Sequence, residues 1–407
     1  MIAKGSGRHA VLISRVYGSR HGGSIYSEAL VKVLLGQGWM VTFASEQFDQ
    51  SIAATEQIGN KQLTLPFFFK SGFITSFSRL VDMIRLTRYI LFRRVTLIIV
   101  QGDLPRVTYV LLQYLIPLLF IRQDGILTCP ANDRFLNNSR TICRKQVGFS
   151  CMSIHREEKC FGSLGPFHRI GRIIYRLRDR FLLNMLINFA VNSQYILRTH
   201  RRYGVVLYPP CLSATATFAN PQRDLHRLVF CGRLERVKGA EDAIHILSRL
   251  PKTYRMDVLG NGNDLNSLQA TAHTLGVSDR VEFHGWVGRD RRDAVFASSG
   301  VLMMPSLCDE AFGMVGIEAF AKGTPVVAYD VGGISEWCKP TAGILVKCGD
   351  LDGFAEAIGI ITANYDQWRR FSVAAESIAE SRFTLSEFQH KARELINDGV
   401  SGGLFHS

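Results

Sequence analysis

The sequence predicts an α/β protein made of two Rossmann-like domains, each with a parallel sheet. Short apolar runs alternate with segments of helical periodicity, and this alternation halts at Leu207-Tyr208-Pro209-Pro210 and then begins again. The charge divides at the same place. Residues 1–210 hold 28 Lys and Arg against 11 Asp and Glu, a balance of +17, whereas residues 211–407 hold 20 against 24, a balance of −4. Two halves of opposite sign have different partners, and the basic half suits an anionic surface.

His9–Ser14 (HAVLIS) reads as the first strand. Gly22-Gly23 follows, then a helix over Ser24–Gly38 with Ile25, Ala29, Leu30, Val33 and Leu34 at helical spacing, then a strand over Trp39–Ser45. This is a βαβ unit and implies a right-handed parallel crossover. A helix over Ser78–Arg94 and a buried strand over Thr96–Gln101 continue the pattern. A loop-like segment, about 128–171, is rich in Cys, Arg and Asn; a basic helix over Ile170–Leu186 and a strand over Phe189–Asn192 come after it. Cys211–Arg223 reads as a linker. The second series has strands at Leu228–Cys231, Arg255–Gly260, Val281–Gly285, Gly300–Met304 and Pro325–Tyr329. The expected domains are 1–212, with the Cys-containing insertion inside it, and 213–384; a helix and tail over 385–407 is placed back against the first domain.

The chain's 407 residues, 47% apolar and 20% charged, describe a globular rather than a disordered protein. The start, MIAKGSGRHAVLIS, runs straight into a strand, so no secretory signal is expected. Val107–Ile121 is too short to span a bilayer and contains Pro117. Nine cysteines without a signal favour a reducing compartment and free thiols.

The densest chemistry lies in CDEAFGMVGIEAFAKGTPVVAYDVGG, Cys308–Gly333, which sets Glu310 and Glu318 eight positions apart. On one continuous helix that spacing is about 12 Å along the axis and about 80° around it, too far to grip one small group. Gly313 suggests a helix start, which leaves Glu310 in the loop before it and Glu318 inside. A helix start is an anion site, so the stretch offers a carboxylate, a phosphate cradle at Phe312, Gly313, Met314 and Val315, and a second carboxylate. A nucleotide-diphosphate sugar has the matching order of sugar hydroxyls, phosphates and ribose diol. An amphipathic helix with two solvated glutamates would give the same letters, so the neighbours matter. CGRLERVKG, Cys231–Gly239, presents Arg233 and Lys238 after a strand, a fork and a point charge suited to a diphosphate, although two surface cations would look alike. VLGNG ends a strand with Gly260 and Gly262, where backbone can approach a ligand or simply turn. FHGWVGR, Phe283–Arg289, ends another and could flank a base. All fall at the carboxyl ends of parallel strands, where such sheets bind ligands.

In this order the motifs GRLERVKG, VLGNG, VEFHGWV and MMPSLCDEAFGMVGIEAFAKGTPVVAYDVGGISE, within Val229–Glu336, resemble the donor domain of the retaining family 4 glycosyltransferases (glycosyl transferases group 1) of bacterial surface-polysaccharide type. The resemblance implies the GT-B fold, two Rossmann-like domains with parallel sheets facing across a cleft. It implies that Glu310, Arg233 and Lys238 are catalytic, with Arg233 and Lys238 on the donor diphosphate and Glu310 at the transferred sugar. Glu318 would hold the ribose, and Gly22 and Gly23 would belong to the loop facing the phosphates. The implied reaction is transfer with retention from a UDP- or GDP-sugar substrate, with no cofactor and no metal. Asp350-Leu351-Asp352 looks like a metal-binding DxD, but it opens a helix over Gly353–Thr362, where an N-cap is expected.

The family often has a histidine after a buried strand of the first domain; here GILTCPANDRFLNN, Gly125–Asn138, carries Thr128-Cys129, with Asp133, Arg134 or His155 as substitutes. Cys129, Cys143, Cys151 and Cys160, spaced 14, 8 and 9 positions apart, could bind structural zinc, form disulfides or be buried thiols. Arg79, Arg85, Arg88, Arg93 and Arg94 share a helix with Leu80, Ile84, Tyr89 and Leu91; Arg169, Arg172, Arg176, Arg178 and Arg180 share another with Ile173, Ile174, Leu177 and Phe181. Such faces suit an anionic bilayer or are ordinary solvated faces. The expected partners are the nucleotide sugar, a glycan or lipid-diphosphate-linked acceptor and an anionic membrane surface, with no nucleic acid, since no base-stacking motif is present. The expected location is the cytoplasm, at the inner face of the plasma membrane. Other readings are a nucleotide-sugar epimerase of the same fold, or a basic membrane- or nucleic-acid-binding protein with a degenerate Rossmann core.

Overall fold

The computed structural model describes residues 7–14, 16–17, 22–45, 47–48, 61–65, 76–102, 107–123, 129–131, 134–136, 138–139, 141–161, 164–200, 204–212 and 223–400. The chain divides into two compact units, one of Met1–Leu127, Ile174–Pro210 and Leu385–Ser407, the other of Thr128–Ile173 and Cys211–Thr384.

In chain order the described strands are β1 (His9–Ser14), β2 (Val16–Tyr17), β3 (Met40–Ser45), β4 (Gln47–Phe48), β5 (Lys61–Thr64), β6 (Leu97–Gln101), β7 (Leu118–Arg122), β8 (Phe135–Leu136), β9 (Thr141–Ile142), β10 (Asn188–Val191) and β11 (Val205–Val206). The first unit's sheet has the order β11-β10-β7-β6-β1-β3-β5, with every pairing parallel. β1 and β6 are buried along their whole length, which explains why they read as continuous apolar runs without alternation. The helix Gly22–Gly36 lays Tyr26, Leu30 and Leu34 on this sheet, and the helix Leu385–Val400 adds Phe388, Leu395 and Ile396 to the same core. Tyr26 meets Phe388 edge to face at 5.0 Å and donates its hydroxyl to the Leu207 carbonyl at 2.8 Å.

The second unit continues with β12 (Asp224–Cys231), β13 (Arg255–Leu259), β14 (Val281–Gly285), β15 (Ser299–Met304), β16 (Val326–Tyr329) and β17 (Gly343–Val346). Its sheet is parallel in the order β14-β13-β12-β15-β16-β17. The chain therefore winds outward from β12 in one direction, then crosses to β15 and winds the other way. Loops after β12 and β15 diverge at this reversal, which opens a crevice at the carboxyl end of the sheet.

Several boundaries differ from those read in the sequence. The first helix starts at Gly22, not Ser24. Val107–Ile121 splits into a helix, Val107–Leu112, and β7, because Pro117 ends helical backbone and the apolar run after it pairs with β6. The segment 128–171 is not all loop: it holds the helix Ser150–Glu158, and the basic helix already starts at Pro166, where proline suits the first turn. This segment also packs with the second unit, not the first, through a buried pair between Arg134 and Asp309 at 2.9 Å and through Arg236 lying over the Phe135 ring.

Candidate active site

The loop after β12 closes with a 3-10 turn, Arg236–Lys238, and the loop after β15 runs beside it, with the Leu307 amide donating to the Val237 carbonyl at 2.9 Å. This contact brings residues 70 apart together at the point where the strand order reverses. The Lys238 ammonium donates to Glu310 Oε1 at 2.6 Å, and the Ser306 hydroxyl donates to the same oxygen at 2.8 Å. Burial alone would raise the Glu310 carboxyl, but Lys238 and the two hydrogen bonds outweigh it and hold the group below its ordinary value. Burial likewise works against the Lys238 charge, yet Glu310 raises its pKa. The two stay ionised and form a charged pair in a partly buried crevice.

The Glu310 backbone is braced from the loop after β16. Its carbonyl accepts from the Gly333 amide at 2.7 Å. At Gly332, where φ is +60°, an added Cβ would sit 2.0 Å from that same carbonyl oxygen. Gly332, the first of the two glycines after β16, is thus required by the close approach of two backbones. Beside Glu310, the Arg134 guanidinium holds Asp309 at 2.9 Å and also donates to the Cys143 carbonyl at 2.6 and 2.8 Å.

Glu318 lies inside the helix Met314–Phe320, which Gly313 caps, so the loop-then-helix placement of the two glutamates matches the structure. It is only 7% exposed, and its Oε1 pairs with Arg292 Nη1 at 2.9 Å. Burial, and then Asp293, push its carboxyl above the ordinary value against the pull of Arg292. Arg292 in turn holds Asp293 at 2.8 Å, and Lys322 reaches the other Asp293 oxygen at 3.4 Å. Arg292 was missed by sequence reasoning. Its signal, an Arg-rich helix after FHGWVGR, is indistinguishable from a solvated face without the fold.

The remaining sequence-selected residues fall as follows. Arg233 is exposed and pairs with Glu235 at 2.6 Å, so it does not share the Lys238 contact. A Cβ on Gly260 would lie 1.8 Å from the Gly232 carbonyl oxygen, and one on Gly262 would lie 2.1 Å from that of Leu234; these glycines let two neighbouring turns touch. Phe312 is buried, and its carbonyl accepts from the Trp337 indole. Met314 and Val315 form the first turn of the Glu318 helix. His284 pairs with Asp257 at 2.6 Å, while Trp286 is half exposed. Asp257, Glu282 and His284 offer ligand atoms within 4.8 Å of one another, but Arg227 already grips Asp257 and supplies the positive charge a metal would bring. Asp350 accepts from the Gly353 amide at 2.9 Å, the expected N-cap. Gly22 and Gly23 open the first helix of the other unit. His155 is buried, with Nδ1 accepting from the Phe161 amide at 3.2 Å. Thr128 and Asp133 lie outside the described residues.

This constellation spans a stretch that can be compared with known proteins. Residues 218–377 match the family model described as glycosyl transferases group 1. A D-inositol 3-phosphate glycosyltransferase from Xylanimonas cellulosilytica is 37% identical over 185 residues, 43% of this chain and 44% of the relative. A lipopolysaccharide core biosynthesis glycosyltransferase, LpsE, from Rhizobium meliloti is 38% identical over 135 residues, 33% of this chain and 38% of that one. The matches with these two curated relatives span under half of their length. In fold the likeness covers nearly the whole chain. A sucrose-phosphate synthase from Thermosynechococcus elongatus superposes with a TM-score of 0.70 at 18% identity, over 97% of this chain and all of that one. Anabaena Alr3699/HepE in complex with UDP-glucose superposes at 0.69 with 16% identity, over 96% of this chain and 99% of that one. The residues that match the glycosyl transferases group 1 model are therefore the second parallel sheet with its crevice, and the fold is GT-B, as the resemblance implied.

Proposed function

We propose that this chain is a retaining glycosyltransferase that moves a sugar from a nucleotide-diphosphate sugar to a glycan or lipid-linked acceptor in cell-surface polysaccharide synthesis. The observation that carries the reading is the Lys238–Glu310–Ser306 cluster at the strand-order reversal of the second sheet. Lys238 is the fixed cation for the leaving diphosphate, and Arg233, exposed on a short loop, swings from Glu235 to join it. The backbone amides at Phe312, Gly313, Met314 and Val315 face the phosphates. Glu310 receives sugar hydroxyls, and Glu318, its geometry fixed by Arg292, accepts from the ribose diol. The acceptor hydroxyl attacks the anomeric carbon from the face the nucleotide leaves, and its proton passes to the departing phosphate oxygen. These steps use the chain's own residues and no cofactor.

The first half supports a membrane-facing role at the cytoplasmic side. The helix Ser76–Phe92 exposes Ile84, Leu91 and Phe92 near Arg85 and Arg88, and the helix Pro166–Met185 exposes Phe167, Ile174 and Phe181 among its arginines. Apolar side chains beside cations suit an anionic bilayer surface. No helix among the described residues is long and apolar enough to cross a membrane.

Calorimetric titration with UDP, GDP, ADP and their sugar conjugates tests the donor site. One nucleotide class should bind, and Glu318→Ala should weaken it by roughly 10-fold or more, the loss of charge-assisted hydrogen bonds. Binding of none of them by folded protein would overturn the donor assignment. NMR of the product must show retained anomeric configuration; inversion, or epimerised donor without transfer, would overturn the reaction.

A further inference from the structure

Between residues 129 and 161 the chain holds four of its nine cysteines, and the fold brings all four to one place. Cys129 follows β7, Cys143 follows β9, Cys151 is in the first turn of the helix Ser150–Glu158, and Cys160 lies just past that helix. All four line a single small cavity with Phe135 and Phe161. The site does not depend on the transferase reading.

We propose that Cys129, Cys143, Cys151 and Cys160 together bind one Zn2+ as a tetrathiolate site.

The segment needs such a staple. Among its described residues the regular structure is a two-residue strand pair and one nine-residue helix, and the large buried apolar side chains are Phe135, Val147 and Phe161. A core of that size does not hold a defined shape, whereas a structural metal supplies folding energy directly. Two non-glycine residues adopt left-handed backbone here, Arg134 at φ 57° and Lys159 at φ 51°, the second directly before Cys160. Such conformations persist where the surroundings over-determine them.

Charge points the same way. The segment 129–161 contains six Lys and Arg against three Asp and Glu, a surplus of three positive charges. Four thiolates around Zn2+ carry a net charge of about −2, which this surplus neutralises. An all-sulfur set selects a soft metal with tetrahedral preference, and zinc is the one that needs no redox partner. Thiols ligate zinc as thiolates, so binding expels protons and weakens in acid. Zinc–sulfur bonds of about 2.3 Å put sulfurs about 3.8 Å apart. No three of these sulfurs lie within 4.8 Å of one another here, so tetrahedral binding requires them to close on one another. Arg134 lines the same cavity and holds Asp309, which makes the site an anchor for the loop that carries Glu310.

The test is metal analysis of the tag-free full chain purified under reductant. Elemental analysis should give one zinc per chain. Cys143→Ser and Cys160→Ser should each bring it close to zero, while Cys348→Ser, outside the segment, should leave it at one. Should the serine variants fail to fold, wild-type protein exchanged with Co2+ should show thiolate-to-cobalt charge transfer and a tetrahedral d–d spectrum. Four free thiols with no bound metal, disulfides joining these cysteines in a peptide map, an iron–sulfur spectrum, or metal lost equally in Cys348→Ser would each overturn the site.

Discussion

At the scale of single residues, the candidate site is a balance between burial and pairing. Glu310 is held ionised by Lys238 and Ser306, so its contribution to stability is present above the carboxylate's unfolded pKa and is lost as pH falls through its depressed folded value. Glu318 has the opposite sign. Its carboxyl is raised by burial, so its contribution is present below the unfolded value and is lost as pH rises through the folded one. Urea unfolding across acid pH should therefore show a loss of stability in wild type that Glu310→Gln flattens, and a counter-trend that Glu318→Gln removes. Lys238→Ala should lower kcat by about 10²–10³-fold, the usual effect of deleting one preorganised charge at a developing anion. Steady-state kinetics with the donor identified by titration checks it. Gly332→Ala should cost more than about 2 kcal/mol, because its Cβ meets the Glu310 carbonyl oxygen at 2.0 Å in a left-handed conformation. A fall in the denaturation midpoint measures this.

At the scale of elements, loops from different strands hold one another. The pair Arg134–Asp309 ties the cysteine-bearing segment to the loop after β15, with both side chains under a tenth exposed. Arg134→Met should destabilise by about 3–5 kcal/mol, since it removes the cation from a buried carboxylate. The double variant Arg134→Met/Asp309→Leu should recover part of that loss, and a double-mutant cycle by chemical denaturation measures the coupling. A buried hub of the same kind is Arg223, which donates to the carbonyls of Phe296, Ser299, Lys322 and Gly323, the ends of two helices, and to the Thr324 hydroxyl. Burial lowers its pKa to about 10. It was read only as the end of a linker, because nothing in a single Arg after Asn-Pro-Gln signals which carbonyls will converge on it.

At the scale of the whole molecule, the charge is sorted by half, +17 against −4. Co-sedimentation should show binding to vesicles containing phosphatidylserine, none to neutral phosphatidylcholine vesicles, and loss above about 0.3 M salt, where screening shortens the reach of surface charge. Leu91→Ser/Phe92→Ser should weaken that binding without altering nucleotide affinity. Equal binding to both vesicle types would overturn the membrane reading. The basic helix is less purely a surface than its sequence suggests. Asp179, fully buried, takes Arg178 at 2.6 Å and Arg176 at 3.5 Å, and Arg169 donates to the Leu164 carbonyl, so at least three of the helix's five arginines serve the fold.

The sequence by itself determined the class, five of the six strands of the second sheet (the short β17 was missed), and the position of Glu310 in a loop with Glu318 in the helix after it. These follow from local periodicity, glycine placement and chain order, which neighbouring residues encode. Only the tertiary structure decided which side chains meet. Lys238 meets Glu310 rather than joining Arg233, Arg292 takes Glu318, and Gly260 and Gly262 accommodate backbone at Gly232 and Leu234. It also decided that the cysteine segment packs with the second unit and gathers its four thiols around one cavity. The reason is that such contacts join residues far apart in sequence. Their energies depend on the distance and burial that the strand-order reversal and the loop packing impose, and no local pattern carries either.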